Sequence, residues 1–217
     1  MLDVVTIAAA GKKPGLRDHK KKETRRLILK CANALFHERG YAATTLEDIA
    51  DRAAVHKQTV LRYFGSKEGI ALAFPQIALQ KFRTGLWDPA RTIPVLEYWR
   101  TFVEASAREV TERGDMMRYT KLVESEPGLM AASLAIHMQY EEILAAELSR
   151  EAGLDPATDL ESRFLAAFLV AGNFSIARHL LNRGEVRNYV RTALHVVDFA
   201  IQRFPRPVPC PGKIVTG

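Results

Sequence analysis

The chain is 217 residues long, 47% hydrophobic and 26% charged, with a net charge of +6 at pH 7. That balance is ordinary for a soluble protein, and the length suffices to bury a core in one medium domain or two small ones. Its two cysteines, Cys31 among apolar positions and Cys210 in a proline-rich tail, suggest neither a disulfide framework nor a metal knuckle, and they fit a reducing cytoplasm. The positive charge is local. Residues 11–67 hold 14 Lys and Arg against 6 Asp and Glu, whereas the remainder holds 17 against 19. Such an asymmetry arises when one segment meets a polyanion, or when it simply presents a solvated basic face.

Residues 1–18 read as a mobile arm or an overlong start; the apolar run in "MLDVVTIAAAG" starts acidic and is too short to span a membrane. From Lys20 to Arg39, Ile28, Ala32, Leu35 and Phe36 form one apolar helical stripe, which Gly40 ends. In "ATTLEDIADRA", Thr44 or Thr45 can cap the next helix, with Glu47 or Asp48 as the acidic partner of a capping box. That helix lasts two turns before another begins near His56, so a helix-turn-helix unit is expected. Its interior positions are Ile49, Ala50, Ala54, Val55 and Val60. Ala54 stands at a turn that favours glycine, at a cost of about 1 kcal/mol if φ is positive there.

"HKQTVLRYFGSKEG" then places His56, Lys57, Gln58, Thr59 and Arg62 on the exposed side and first turn of the second helix. Gln, Arg, Lys and His can hydrogen-bond base edges in a major groove, and Thr can touch a thymine methyl or a phosphate. Phe64 turns inward and Tyr63 offers its hydroxyl to a phosphate. Gly65 breaks the helix. Ser66 caps the next one, where Lys67 is expected to complete a phosphate clamp. Thr45, at the start of the first helix of the unit, completes the set of candidate DNA contacts.

Residues 23–74, through the framework "LF…RGY…TT…IA…A.V…YF.SKE", closely resemble the DNA-binding domain of the TetR family of bacterial transcriptional regulators. The resemblance implies an all-α fold, with a three-helix DNA-binding domain (19–66) and a helical ligand-binding and dimerisation domain (67–204). A flexible tail (205–217) follows. Two positions depart from the family pattern: Ala54 where glycine is common, and Leu61 where an aromatic is common, which puts one family contact in doubt.

Beyond the motif, a helix from Ser66 to about Gln80 contains Pro75, which should kink or split it near residue 71. Helices are then expected at Val95–Arg113, Asp115–Glu124, Pro127–Ala152, Asp159–Asn182 and Glu185–Phe204. Residues 164–177, "FLAAFLVAGNFSIA", are apolar nearly all round yet too short for a membrane span. With the stripe Val190, Leu194, Val197, Ile201 and Phe204, they suggest a four-helix interface between two copies, where TetR-like proteins dimerise by resemblance.

Trp99, Phe102, Met116, Tyr119, His137 and Met138, with Phe168 and Asn173 opposite, suit an apolar pocket with a few polar fixings. Met117 and Tyr140 belong to the same group. Residues 116–181 resemble the TetR subgroup that binds acyl-CoA-like ligands, which implies a long apolar or acyl-thioester effector. Neither a catalytic constellation nor a metal site is expected: G-x-S-x-G, H-E-x-x-H and phosphate-loop motifs are lacking. His195 and Asp198, three apart, read as a surface hydrogen bond. The expected protein is a cytoplasmic, homodimeric, ligand-responsive repressor of a double-stranded DNA operator, with no cofactor and no membrane partner. Its rival is a ligand-independent DNA-binding or architectural protein.

Overall fold

The computed structural model describes residues 15–114 and 116–204; among these the regular elements are all helical. The chain divides between Ala71 and Leu72 into two compact units.

The first unit holds α1 (Leu16–Arg39), α2 (Leu46–Arg52), α3 (Lys57–Phe64) and α4 (Lys67–Ala71). α1 begins inside the segment expected to be an arm; residues 1–14 of that arm, and the tail from 205, lie outside the described residues. Ile28, Ala32, Leu35 and Phe36 are buried along one stripe of α1, which packs on α2 and α4; Ile49 of α2, Val60 of α3 and Ile70 of α4 are buried as well. Thr45, not Thr44, caps α2: Asp48 N–H donates to its Oγ1 (3.1 Å) and Thr45 N–H donates to the Asp48 carboxylate (2.9 Å). Those bonds hold the Asp48 carboxyl below its usual value, the Thr45 backbone donor first. Thr44 is instead buried, donating to Gly40 O (2.7 Å).

The turn between α2 and α3 corrects one expectation. Ala53 is buried and Ala54 is exposed, so the small interior residue is the earlier alanine. Ala54 keeps the left-handed backbone, with φ 50°. α4 packs on α1 and α3, which is why the division falls at 71/72 and not at 66/67.

The second unit comprises α5 (Ala73–Leu86), α6 (Val95–Arg113), α7 (Met116–Ser125), α8 (Pro127–Glu151), α9 (Leu160–Asn182) and α10 (Tyr189–Arg203), the last preceded by a 3-10 turn at Val186–Asn188. The single helix expected over 66–80 is split at Leu72, where Pro75, lacking an N–H, cannot continue the hydrogen-bond ladder to Ala71 O. α6 starts at a proline-led cap with no side-chain bond of its own; the Glu151 carboxylate from the end of α8 accepts from Val95 N–H (3.0 and 3.1 Å) instead.

α9 packs along α8 and α10, burying Leu165, Ala166, Leu169 and Val170. At 23 residues it is long and apolar enough to cross a membrane by length and composition, although the stretch 164–177 within it is too short. Core helices of soluble proteins meet the same test. Nor is it buried all round within one chain: Phe164 is 59% exposed, and on α10 Phe199 is 49% exposed. Phe168 bridges this face, its ring 6.2 Å from both Phe199 and Phe204, with Phe164 6.0 Å from Phe204. In the expected α10 stripe, Val197 is fully buried, while Val190, Leu194, Ile201 and Phe204 are half-buried.

Candidate DNA-reading surface and ligand cavity

α3 is short because the residues around it dictate its length. His56 begins it without a side-chain cap, and Gly65, at φ 74°, ends it while donating its N–H to Leu61 O (2.7 Å). His56, Lys57, Gln58 and Arg62 are exposed, and Thr59 and Tyr63 are half-buried. The Arg62 guanidinium lies 5.6 Å from the Tyr63 ring centroid, so that aromatic supports a cation on the exposed side. Phe64 is half-buried, with Arg25 of α1 over its ring at 5.0 Å. Lys57 is paired across the turn with Glu47 of α2 (2.5 Å), whose carboxyl is held below its usual value by that hydrogen bond. The exposed cations of α1, Arg17, Lys20, Lys21, Lys22, Arg26 and Lys30, carry much of the local charge excess. The charge count flagged this segment, but no periodicity singled out its residues.

Lys67 corrects the phosphate-clamp expectation. Its ammonium donates to Tyr41 O (2.8 Å), Thr44 O (2.8 Å) and Ala42 O (3.4 Å), and sits 4.3 Å from the Tyr41 ring centroid. The carbonyls that end α1 and lead into α2 attract it inward, which uses its three donors. Ser66 does cap α4, accepting from Gly69 N–H (3.0 Å), which occupies that amide as well. Lys67→Met should therefore cost about 1–3 kcal/mol of stability. The salt dependence of DNA binding should keep its slope, whereas a lost phosphate contact would lower that slope by about one unit. Urea unfolding beside binding isotherms at several salt concentrations reads both quantities. A reduced slope with unchanged stability would restore the clamp.

The second unit holds a cavity of ≈ 220 Å³ that opens to solvent on one side. Five helices supply most of its wall: Phe74 from α5, Trp99, Phe102 and Val110 from α6, Met116 and Tyr119 from α7, Ser133, His137 and Tyr140 from α8, and Val170, Asn173 and Phe174 from α9. Trp99, Phe102 and Tyr140 belong to one ring cluster, with centroids 5.9–6.2 Å apart. Trp99, Phe102, Met116, Tyr119, His137 and Asn173 are thus brought together as expected from the sequence.

Met138 and Phe168 are not. Met138 is 61% exposed, because the residue after His137 on a helix points about 100° away. Phe168 lies five positions before Asn173 and faces Phe199 and Phe204 instead. Phe174, missed in the sequence, stacks on His137 with ring centroids 3.9 Å apart. Its signal was only that it adjoins Asn173.

The buried polar side chains of the cavity are uncharged. His137 Nδ1 donates to Ser133 O (2.7 Å), and burial pushes the imidazole below its usual value, so Nε2 is left as an acceptor. Burial likewise pushes the Tyr119 and Tyr140 phenols up. Trp99 Nε1, Tyr119 Oη and both amide atoms of Asn173 are buried without a hydrogen-bond partner in the protein. The charged wall residues are paired with one another: Lys81 with Glu109 (2.9 Å), and Arg178 with Glu124 (2.7 Å). Asp198 accepts from Arg100 of α6 (2.6 Å), a partner the sequence reading, which considered His195, did not name.

Residues 28–74 match the family described as bacterial regulatory proteins, tetR family, and residues 94–201 match the MftR C-terminal domain. TcmR of Streptomyces glaucescens, an HTH-type transcriptional regulator, is 31% identical over 179 residues, which cover 79% of this chain and 79% of TcmR. Among solved structures, the SmeT–triclosan complex superposes with a TM-score of 0.64 at 22% identity, over 88% of this chain and 99% of that one. FadR of Thermus thermophilus, a TetR-family repressor in complex with lauroyl-CoA, does so at 0.57 and 22%, over 87% and 100%. At those identities the two structures speak for the fold, whereas TcmR and the matched N-terminal residues speak for descent. The chain belongs to the tetR family and is a helix-turn-helix, DNA-binding transcription regulator.

Proposed function

We propose that the protein is a homodimeric repressor that reads a near-palindromic operator through α3 and is released by a small, mostly apolar or acyl-type ligand. The observation that carries the ligand-responsive reading is the ≈ 220 Å³ cavity walled by α5 to α9, where a ligand-independent protein would have a filled core. Gln58 and Arg62 are the base-reading candidates with exposed donors, flanked by His56, Lys57 and Thr59; Tyr63 and Thr45 border them. The FadR complex with lauroyl-CoA, on the same fold, supports the acyl form of the ligand.

A ligand releases DNA only by binding the non-reading conformation more tightly, and the coupling is reciprocal. Titrating operator complexes with acyl-CoAs of graded chain length, beside free fatty acids and unrelated aromatics, should raise the operator Kd about 5- to 150-fold for the matching length. Release that ignores chain length rejects the acyl form. A compound that binds the cavity and releases nothing favours the ligand-independent rival.

The dimer rests on the aromatic face of α9 and α10. Phe164 and Phe199 are large side chains that one chain leaves half open to water, next to Phe168 and Phe204. Phe199→Glu should convert a dimer at micromolar concentration to monomers and weaken operator binding about 100-fold or more, since one half-site then binds alone. Sedimentation of the wild type as a monomer at that concentration sinks both the dimer and the two-half-site operator.

A further inference from the structure

The cavity wall is apolar enough to hold a hydrocarbon, yet its buried polar atoms set a narrower requirement. Trp99 is 4% exposed, and its Nε1–H can only donate. The Asn173 amide needs both an acceptor for Nδ2 and a donor for Oδ1, and Tyr119 Oη can serve either way. A purely apolar ligand would leave all four atoms unpaired, at the full desolvation penalty. An anion fares no better in the buried part of the cavity, because the charged wall residues lie at its exposed rim and face one another there (Lys81 with Glu109, Arg178 with Glu124), and the imidazole of His137 donates its one proton to a backbone carbonyl. A buried carboxylate would find no counter-charge among the described lining residues.

We infer that the cavity selects a neutral, mostly apolar molecule that carries a carbonyl-type acceptor and a hydroxyl or amide donor, matched to Trp99, Tyr119 and Asn173. This rests on the ligand-responsive reading above and narrows it. A free fatty acid whose carboxylate reaches the buried part is disfavoured by its charge. An acyl thioester meets the requirement only in part, since its carbonyl accepts but has no hydrogen to offer Asn173 Oδ1. A neutral amide or hydroxy-ketone on a hydrophobic body meets it whole.

A matched set of probes decides: naphthalene, methyl 1-naphthoate, 1-naphthamide and 1-naphthoate share one ring body and differ in acceptor, donor and charge. Calorimetric titration of the full-length protein should rank 1-naphthamide about 10-fold above naphthalene, with the methyl ester between them and the carboxylate weakest. Asn173→Leu should erase the amide's advantage over the ester, read as the ratio of the two affinities in that variant. Trp99→Phe, a gentler change, should erase the ester's advantage over naphthalene. Equal affinity for all four probes, meaning that water or neighbouring groups satisfy these atoms, overturns the inference, as does preference for the carboxylate or failure of every probe to bind. Operator release is scored separately. A ranking as expected without release would leave the ligand class standing and count against the sensor.

Discussion

Phe82→Ala is expected to lower the stability of the protein by about 3–5 kcal/mol, the largest single effect we foresee. The ring is 0% exposed and lies against four others: Phe102 at 5.1 Å, Tyr140 at 5.2 Å, Trp99 at 5.4 Å and Tyr98 at 5.9 Å. These come from α6 and α8, so Phe82 of α5 is where three helices share one apolar contact. Its own carbonyl accepts from the Tyr98 hydroxyl (3.0 Å), whose phenol burial pushes up to about 12. Truncation removes both ring area and edge-to-face contacts, and helices joined on three sides cannot collapse fully into the gap. Trp99, Phe102 and Tyr140 also line the ligand cavity, so the missing ring would enlarge it. The variant should accept bulkier ligands as it loses stability. Urea unfolding followed by near-UV circular dichroism measures the first effect; a loss below about 1 kcal/mol would mean that the cluster is not a shared core.

Gly69→Ala should destabilise the DNA-reading unit, although helix propensity alone predicts a gain of about 1 kcal/mol for alanine over glycine. Gly69 lies within α4, and a Cβ built there meets Phe64 O at 2.1 Å, a distance no real methyl tolerates. The obstacle is backbone, at the C-terminal end of α3, so it yields only if the reading helix or α4 moves. Overpacking of this kind costs about 1–3 kcal/mol and occasionally more. Operator affinity should fall beyond what the stability loss explains, because the displaced carbonyl belongs to the helix that carries Gln58 and Arg62. Gly65→Ala is the control. Gly65 needs its positive φ, at a negative ψ outside the left-handed helical region, but has nothing within 4 Å of the added carbon, so its cost is the backbone term alone, about 1–3 kcal/mol. Thermal melts and operator isotherms of both variants separate the two causes. If Gly69→Ala is neutral or stabilising, the close approach of α4 to Phe64 is absent in solution.

The sequence made the DNA-reading unit legible because its signals are local. A Thr followed by Asp three residues on, an apolar stripe and a glycine stop each specify their own turn, and the structure keeps all three. Lys67 was misread because sequence places its Cα at a helix start but says nothing of where a long flexible stem ends; the Tyr41 and Thr44 carbonyls that accept from it are more than twenty residues away in the chain. The cavity was legible as a group of six residues, since aromatics and methionine on facing helices tend to meet. Met138 and Phe168 fell outside it because composition does not fix helical phase on α8 and α9, where apolar residues occupy nearly every side. What the sequence hid most fully was the pairing of charges. That Lys81 and Arg178 spend themselves on Glu109 and Glu124 depends on tertiary neighbours alone.

Ala54 carries a further consequence. An L-residue at φ 50° costs about 1–2 kcal/mol relative to a right-handed backbone, and glycine at that turn would remove most of it. One base in the codon separates the two amino acids, so the strain persists within easy mutational reach of its relief. In a domain of this size 1 kcal/mol corresponds to about 4–8 °C of melting temperature. The amide protons of α2 and α3 should therefore exchange with solvent several-fold faster than in an Ala54→Gly variant, through more frequent opening of the reading unit.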